Sequence, residues 1–205
     1  FFSQYPGRFV VGLSIGTLDD EWSKRVEINT SPPSQRVKAM QRLQDAGVPT
    51  YGMLCPIFPD VLNYEYNEDN GYGAHRLQRL VDAIRPEKCE TVWAEPFNDR
   101  ANWTHVQEGY VRGTGGWERK KAMFEDSRSI GWSAYATDLC LRLREIGVSD
   151  GWIEKLVYLL YESKITDEDA RRLGHLERVL LQSKPLDDGR SSNQFVANLK
   201  GALTP

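Results

Sequence analysis

What this chain has little of narrows its function before anything it contains. Its 205 residues include three cysteines, Cys55, Cys89 and Cys140, far apart in sequence. No two stand at the close spacing of a zinc or iron–sulfur loop. An odd number of scattered thiols fits a reducing compartment better than a disulfide framework, so the expected location is the cytoplasm. No apolar run reaches the roughly 20 residues of a membrane span, and no charged leader precedes an apolar stretch, so neither a membrane role nor a secretory signal is expected. The histidines, His75, His105 and His175, lack partners at metal-ligand spacing and are read as structural. There is no phosphate loop, no Gly-x-Ser-x-Gly elbow and no dinucleotide fingerprint. The glycine-rich Gly113–Gly116 follows no strand and reads as a loop. Excess positive charge is missing too. A formal net charge of −3 argues against nucleic-acid binding through overall charge. The chain opens on Phe1-Phe2 and not on methionine, and it is read as the later part of a longer polypeptide.

What is present is a repeating βα pattern. Arg8 to Thr17 is an apolar, β-branched run that reads as a strand buried on both faces. Ser31 offers an N-cap ahead of Pro32 and Pro33; Val37, Met40 and Leu43 continue at helical spacing, and Gly47 is placed to end the helix. A second apolar run, Val48 to Phe58, follows at once. Asp60 to Gly73 is acidic and reads as a loop. Leu77, Leu80, Val81 and Ile84 then form a helical stripe that should stop at Arg85, ahead of Pro86. A third strand is expected from Cys89 to Phe97. Strands separated by about 40 residues, with a helix in each gap, predict parallel pairing with right-handed crossovers.

After Asn98 the pattern changes, and helices are expected over roughly 117–146, 150–163 and 166–182, with Thr166 and Asp169 resembling a capping box. The reading is α/β over residues 1–100, followed by a helical C-terminal region over 101–205. Three parallel strands cannot close a barrel, and that shortage itself points to strands missing from this sequence, to a second chain, or to helices covering the remainder.

The stretch from Val10 to Asp60 carries a multi-part motif. Ser14-Ile15-Gly16-Thr17 ends a strand, Glu27 follows in an acidic stretch, and Ser34-Gln35-Arg36 opens a helix. Asp45-Ala46-Gly47-Val48 closes that helix, and the next strand leads into Cys55-Pro56-Ile57-Phe58-Pro59-Asp60. This resembles the middle of radical S-adenosylmethionine (SAM) enzymes of the spore photoproduct lyase-like group. Trp93-Ala94-Glu95-Pro96-Phe97-Asn98, with Arg100, is similar to a later strand of the same barrel. The likeness covers about 90 residues of the chain.

The resemblance implies a partial (βα) barrel in which the three strands are the fourth, fifth and sixth. It also implies a 4Fe-4S cluster that cleaves SAM to a hydrogen-abstracting radical, with nucleic acid as one possible substrate. Ser14, Thr17 and Glu27 would serve the ribose diol. Arg36 would pair with the methionine carboxylate, its planar fork being suited to bidentate contact. Ile57 and Phe58 would form an adenine wall, and Glu95, Asn98 and Arg100 would contact substrate at the carboxyl end of a strand. The Cys-x-x-x-Cys-x-x-Cys motif that holds such a cluster is absent from this chain, so its ligands are expected outside it.

Plainer readings stand beside each of these. Ser14 also fits a small core residue, Glu27 and Arg36 a surface ion pair, and Pro56 to Pro59 a strand terminator. The basic and aromatic residues between Arg100 and Arg144 fit either a helical core or a nucleic-acid grip. The alternative function is a catalytically inactive module derived from such an enzyme that binds and regulates or inhibits a protein complex.

Overall fold

The computed structural model describes residues 1–58, 76–98, 106, 130–161, 164–174, 177–185 and 191–198. Its local signals act as the sequence suggests. Helix α1 (Asp20–Val26) begins at Asp19, whose carboxylate accepts the Trp22 N–H at 2.8 Å, with acidic residues in its first turn and basic ones in its last. Helix α2 (Pro33–Asp45) ends where Gly47, at φ 70°, lets Val48 N–H reach Leu43 O at 3.0 Å and Gly47 N–H reach Gln44 O at 3.0 Å. Its start differs from expectation. Ser31 is not the cap; the Asp20 carboxylate on α1 instead takes both the backbone N–H of Ser34, at 2.9 Å, and its hydroxyl, at 2.6 Å. Helix α3 (Arg76–Ile84) stops at Arg85, which turns left-handed at φ 50° just before Pro86.

Strands β1 (Val11–Ser14), β2 (Thr50–Ile57), β3 (Cys89–Pro96) and β4 (Leu156–Tyr161) pair in parallel, each beside the next. Beyond β4 lie β5 (Glu177–Pro185) and β6 (Ser191–Asn198). β6 is antiparallel to both β4 and β5, which gives a six-stranded order β1-β2-β3-β4-β6-β5. The parallel part has four strands where about three were expected. Two expectations are therefore corrected. Of the helix expected over 150–163, Ile153–Lys155 is a single 3-10 turn and Leu156–Tyr161 is β4: Leu-Val-Tyr-Leu-Leu-Tyr is a short apolar run, equally readable as buried helix or buried strand, and pairing with the edge of β3 decides the matter. Residues 166–182 are a helix only over α5 (Asp167–Leu173); Gly174 stops it and β5 follows. Helix α4 (Ile130–Ser149) falls within the expected 117–146 region at its start and runs a few residues longer.

β1 is corrected as well. It is shorter than the predicted Arg8–Thr17 run and half-buried throughout, because it stands at the end of the strand order and, among the described residues, pairs on one side only. Arg8, Phe9 and Val10, read as part of a buried strand, are exposed.

The strands stand in sequential order, so each right-handed crossover returns to the same side of the sheet. Alternate residues Leu54, Val92, Ala94, Leu156, Tyr158 and Leu160 form the core there with Met40 of α2, Leu80, Val81 and Ile84 of α3, and Ala136, Leu139 and Leu143 of α4. On the opposite face Tyr51, Met53, Trp93, Glu95 and Val157 take no part in that core and stay half-buried. The Tyr51 ring lies against β1 so closely that a Cβ at Gly12 would come within 2.3 Å of it. No described helix is long and apolar enough to cross a membrane.

α5 is locked to α4 by a buried polar network. Ser133 Oγ donates to Asp169 Oδ2 at 2.6 Å and accepts the Thr166 N–H at 2.9 Å, while Arg172 donates to Asp169 Oδ1 at 2.8 Å. Thr166 accepts the Asp169 N–H at 3.2 Å, as the capping-box reading requires. Ser133 takes the return bond that the box would give to Asp169. Burial by itself would raise the Asp169 carboxyl, but hydrogen bonds from Ser133, Arg172 and Thr166 outweigh it and hold it below its ordinary 3.8. Asp169→Ala is expected to cost about 2–3 kcal/mol at neutral pH. Because the folded pKa is depressed, this stabilisation is complete above the ordinary value and is lost as pH falls through the folded one. Urea midpoints of wild type and variant, measured at neutral pH and down to about pH 2, should differ widely at first and then converge.

Candidate functional site at the carboxyl edge of the sheet

Ser14 closes β1, Glu27 is the C-terminal cap of α1, and Arg36 lies in the first turn of α2. The chain brings all three together. Arg36 Nη1 donates to Ser14 O at 2.8 Å and to Glu27 Oε1 at 3.3 Å, and Nη2 donates to Glu27 Oε2 and, at 3.3 Å, to Ser23 Oγ. Ser23 Oγ in turn donates to Glu27 Oε2 at 2.5 Å. The ion pair is largely withdrawn from water, its side chains being 12% and 17% exposed. Arg36 Nε is buried with no hydrogen-bond partner among the described residues. Ser14 Oγ donates to the Cys55 carbonyl and so ties the end of β1 to β2. Thr17 Oγ1 accepts the Asp19 N–H at 3.1 Å in the turn that leads into α1.

The next two predicted residues sit deeper. Ile57 is fully buried in the helix-side core, and its carbonyl accepts the Phe97 N–H at 3.0 Å and the Tyr135 hydroxyl. Tyr135 also accepts the Phe97 N–H at 2.8 Å, and Trp132 Nε1 donates to Phe97 O at 2.7 Å, so α4 clamps the carboxyl ends of β2 and β3. Phe58 belongs to a separate cluster with Trp22, Val26, Phe97 and Val106. Its ring stands edge-on to Trp22 at 4.5 Å and stacks on Phe97 at 5.1 Å.

Glu95 and Asn98 form a second group, facing β4. Glu95 Oε1 accepts the Tyr161 hydroxyl at 2.5 Å. Asn98 Oδ1 accepts from Lys164 Nζ, which also lies 5.4 Å from the centroid of the Trp132 ring. Arg100 lies outside the described residues. Tyr161, Lys164, Trp132 and Ser23 were not picked out from sequence as site residues. Tyr161 and Lys164 fall in or beside a segment read as helix, whereas Ser23 was findable: Asp19, followed by an acidic and then a basic turn, announces α1.

The three thiols do not suit a cluster. Burial, with the Glu95 charge adding to it, pushes Cys55 up to about 12; burial takes Cys140 to about 12 and raises Cys89 as well. Among the described residues no group of His, Cys, Asp or Glu is placed to hold a metal ion.

A buried pair is held by hydrogen bonds beyond its own charges, and removing one member strands the other. Arg36→Met is therefore expected to cost about 3–5 kcal/mol, and adding Glu27→Leu to recover a large part of that. A double-mutant cycle by urea denaturation checks both.

No family model matches the chain, and no solved structure matches it. It is similar to "Uncharacterized protein ORF301" of Acidianus two-tailed virus, at 21% identity over 130 residues, which is 63% of this chain and 39% of that protein. The chain thus spans about two fifths of the length of the curated relative it matches.

Proposed function

We propose that this chain is the SAM-binding portion of a radical SAM enzyme, with the cluster ligands outside it. One observation carries the reading: Ser14, Glu27 and Arg36, from three separate elements, meet at the carboxyl end of β1. That is the edge at which parallel α/β sheets take ligands. Sequential strand order with the helices on one face also suits the wall of a partial (βα) barrel.

In this reading Ser14, Thr17 and Glu27 hold the ribose hydroxyls. Arg36 keeps Glu27 in place and directs positive charge toward the methionine carboxylate. Phe58 offers a ring edge to the adenine, with the buried Ile57 holding the strand end beneath it, while Glu95, Asn98 and Arg100 meet the substrate. SAM, when bound beside a reduced cluster, supplies one-electron, hydrogen-abstracting chemistry. The chain's own part is to bind, orient and keep water out, in the reducing cytoplasm where its free thiols persist.

Purifying the product of the whole coding sequence without oxygen tests the reading. About four irons and four sulfides per chain are expected, with 5′-deoxyadenosine formed from SAM on reduction. Glu27→Gln and Arg36→Lys are expected to raise the KM for SAM by about tenfold or more while iron content holds. Finding neither iron nor 5′-deoxyadenosine overturns this reading in favour of an inactive module that binds a protein complex.

A further inference from the structure

We infer that Asp20 is a positioning residue for the proposed SAM site: by clamping the start of α2 to α1, it sets where the Arg36 guanidinium points. The inference rests on the preceding reading only for what Arg36 meets; the clamp itself is a property of the chain. Of the four hydrogen bonds that Arg36 makes, one goes to Ser14 at the end of β1 and three go to Ser23 and Glu27 on α1. The direction of its charge therefore depends on how α1 lies against α2. Asp20, Ser23 and Glu27 stand at i, i+3 and i+7, so one side of α1 carries all three. Trp22 and Val26 occupy another side and pack with Phe58, Phe97 and Val106. That apolar contact seats α1 over the ends of β2 and β3, whereas the polar side faces α2.

At the outer end of that side the Asp20 carboxylate accepts both the Ser34 N–H, at 2.9 Å, and the Ser34 hydroxyl, at 2.6 Å. Ser34 shares the first turn of α2 with Arg36. That turn has no cap of its own. Pro32 holds the N-cap position without a side-chain bond, so the Ser34 N–H is an orphan donor that Asp20 satisfies from another helix. Two bonds to one carboxylate fix both the separation and the rotation of the helices, which a single bond would not. Hydrogen bonds from the Ser34 hydroxyl and N–H hold the Asp20 carboxyl below its ordinary range, with the Arg36 and Lys38 charges adding to them. The clamp is therefore an anion at neutral pH. Ser34 is exposed and Asp20 only half-buried, so the clamp can be opened without emptying the core.

Nitrogen-15 NMR of the chain reads the Arg36 guanidinium directly, with Arg36→Lys assigning its signals by their disappearance. A guanidinium held at both terminal nitrogens gives separate Nη–H signals, and one that turns freely gives a single averaged signal. Separate signals are expected in wild type and in Asp20→Asn, whose amide oxygen still accepts the Ser34 N–H. An averaged signal is expected in Asp20→Ala. In the product of the whole coding sequence, Asp20→Ala is expected to raise the KM for SAM by about threefold to tenfold, the loss falling on KM rather than kcat. Asp20→Asn is expected to raise it by less than about twofold. Ser34→Ala, which removes the hydroxyl bond alone, should move both readouts the same way and decides the matter if Asp20→Ala fails to fold. A merely stabilising Asp20 would lower the urea midpoint and leave the Arg36 signals alone. Averaged signals in wild type, wild-type signals in Asp20→Ala, or an unchanged KM in an Asp20→Ala enzyme that cleaves SAM overturns the inference. Absence of SAM cleavage by the wild-type product would sink the cofactor reading alone, with the Arg36 signals still deciding whether Asp20 positions that side chain.

Discussion

Parallel pairing of β1 to β4 in the order of the chain is the constraint on which the rest depends. A parallel strand cannot be reached by a hairpin; the chain must cross over, and it crosses right-handed. When strand order never reverses, every crossover lands on the same side. α2, α3 and α4 therefore share one face and the core collects there, while the other face carries the half-buried Tyr51, Met53, Trp93, Glu95 and Val157 beside the buried Cys55 and Leu159. The same constraint aligns the four carboxyl ends along one edge, where the polar side chains gather.

That edge is held by bonds between elements distant in sequence. Ser14 reaches the Cys55 carbonyl, Arg36 reaches back to Ser14, Tyr135 bridges the ends of β2 and β3, Tyr161 of β4 holds Glu95 of β3, and Lys164, just past β4, holds Asn98, just past β3. Each replaces water at a backbone, amide or carboxylate group that would otherwise be costly to bury. The Arg36–Glu27 pair is the most exacting. Its charges are nearly out of solvent, and only the additional bonds to Ser14 and Ser23 make that arrangement tolerable. Such a network serves position more than stability. It fixes where a carboxylate and a guanidinium stand relative to a strand end, which is what recognition of a polar ligand requires.

Local chemistry was legible from residues alone. Gly47 stops α2 because only a left-handed turn completes its last hydrogen bonds, and the α3 stripe ends beside Pro86 as its pattern predicts. Thr166 caps α5 for a reason contained within four residues. The apolar runs that became β2 and β3 were visible for the same reason, whereas Ser14, Glu27 and Arg36 were grouped only through a family resemblance, and local chemistry does not foretell that they meet.

Non-local decisions were not visible in this way. Whether Leu156–Tyr161 became helix or strand turned on a vacant edge of β3, which lies about 60 residues away. Whether Arg8–Val10 joined β1 turned on a neighbour beyond it. That Asp20 rather than Ser31 serves the start of α2, and that Ser133 completes the Thr166 cap, depended on helices meeting in space. The sequence by itself determined the elements bounded by turn and cap chemistry, since those interactions span a few residues. Tertiary structure alone decided the fourth parallel strand, the six-stranded mixed sheet and the Tyr161 and Lys164 contacts, because strand pairing and burial bring together groups whose separation along the chain carries no signal.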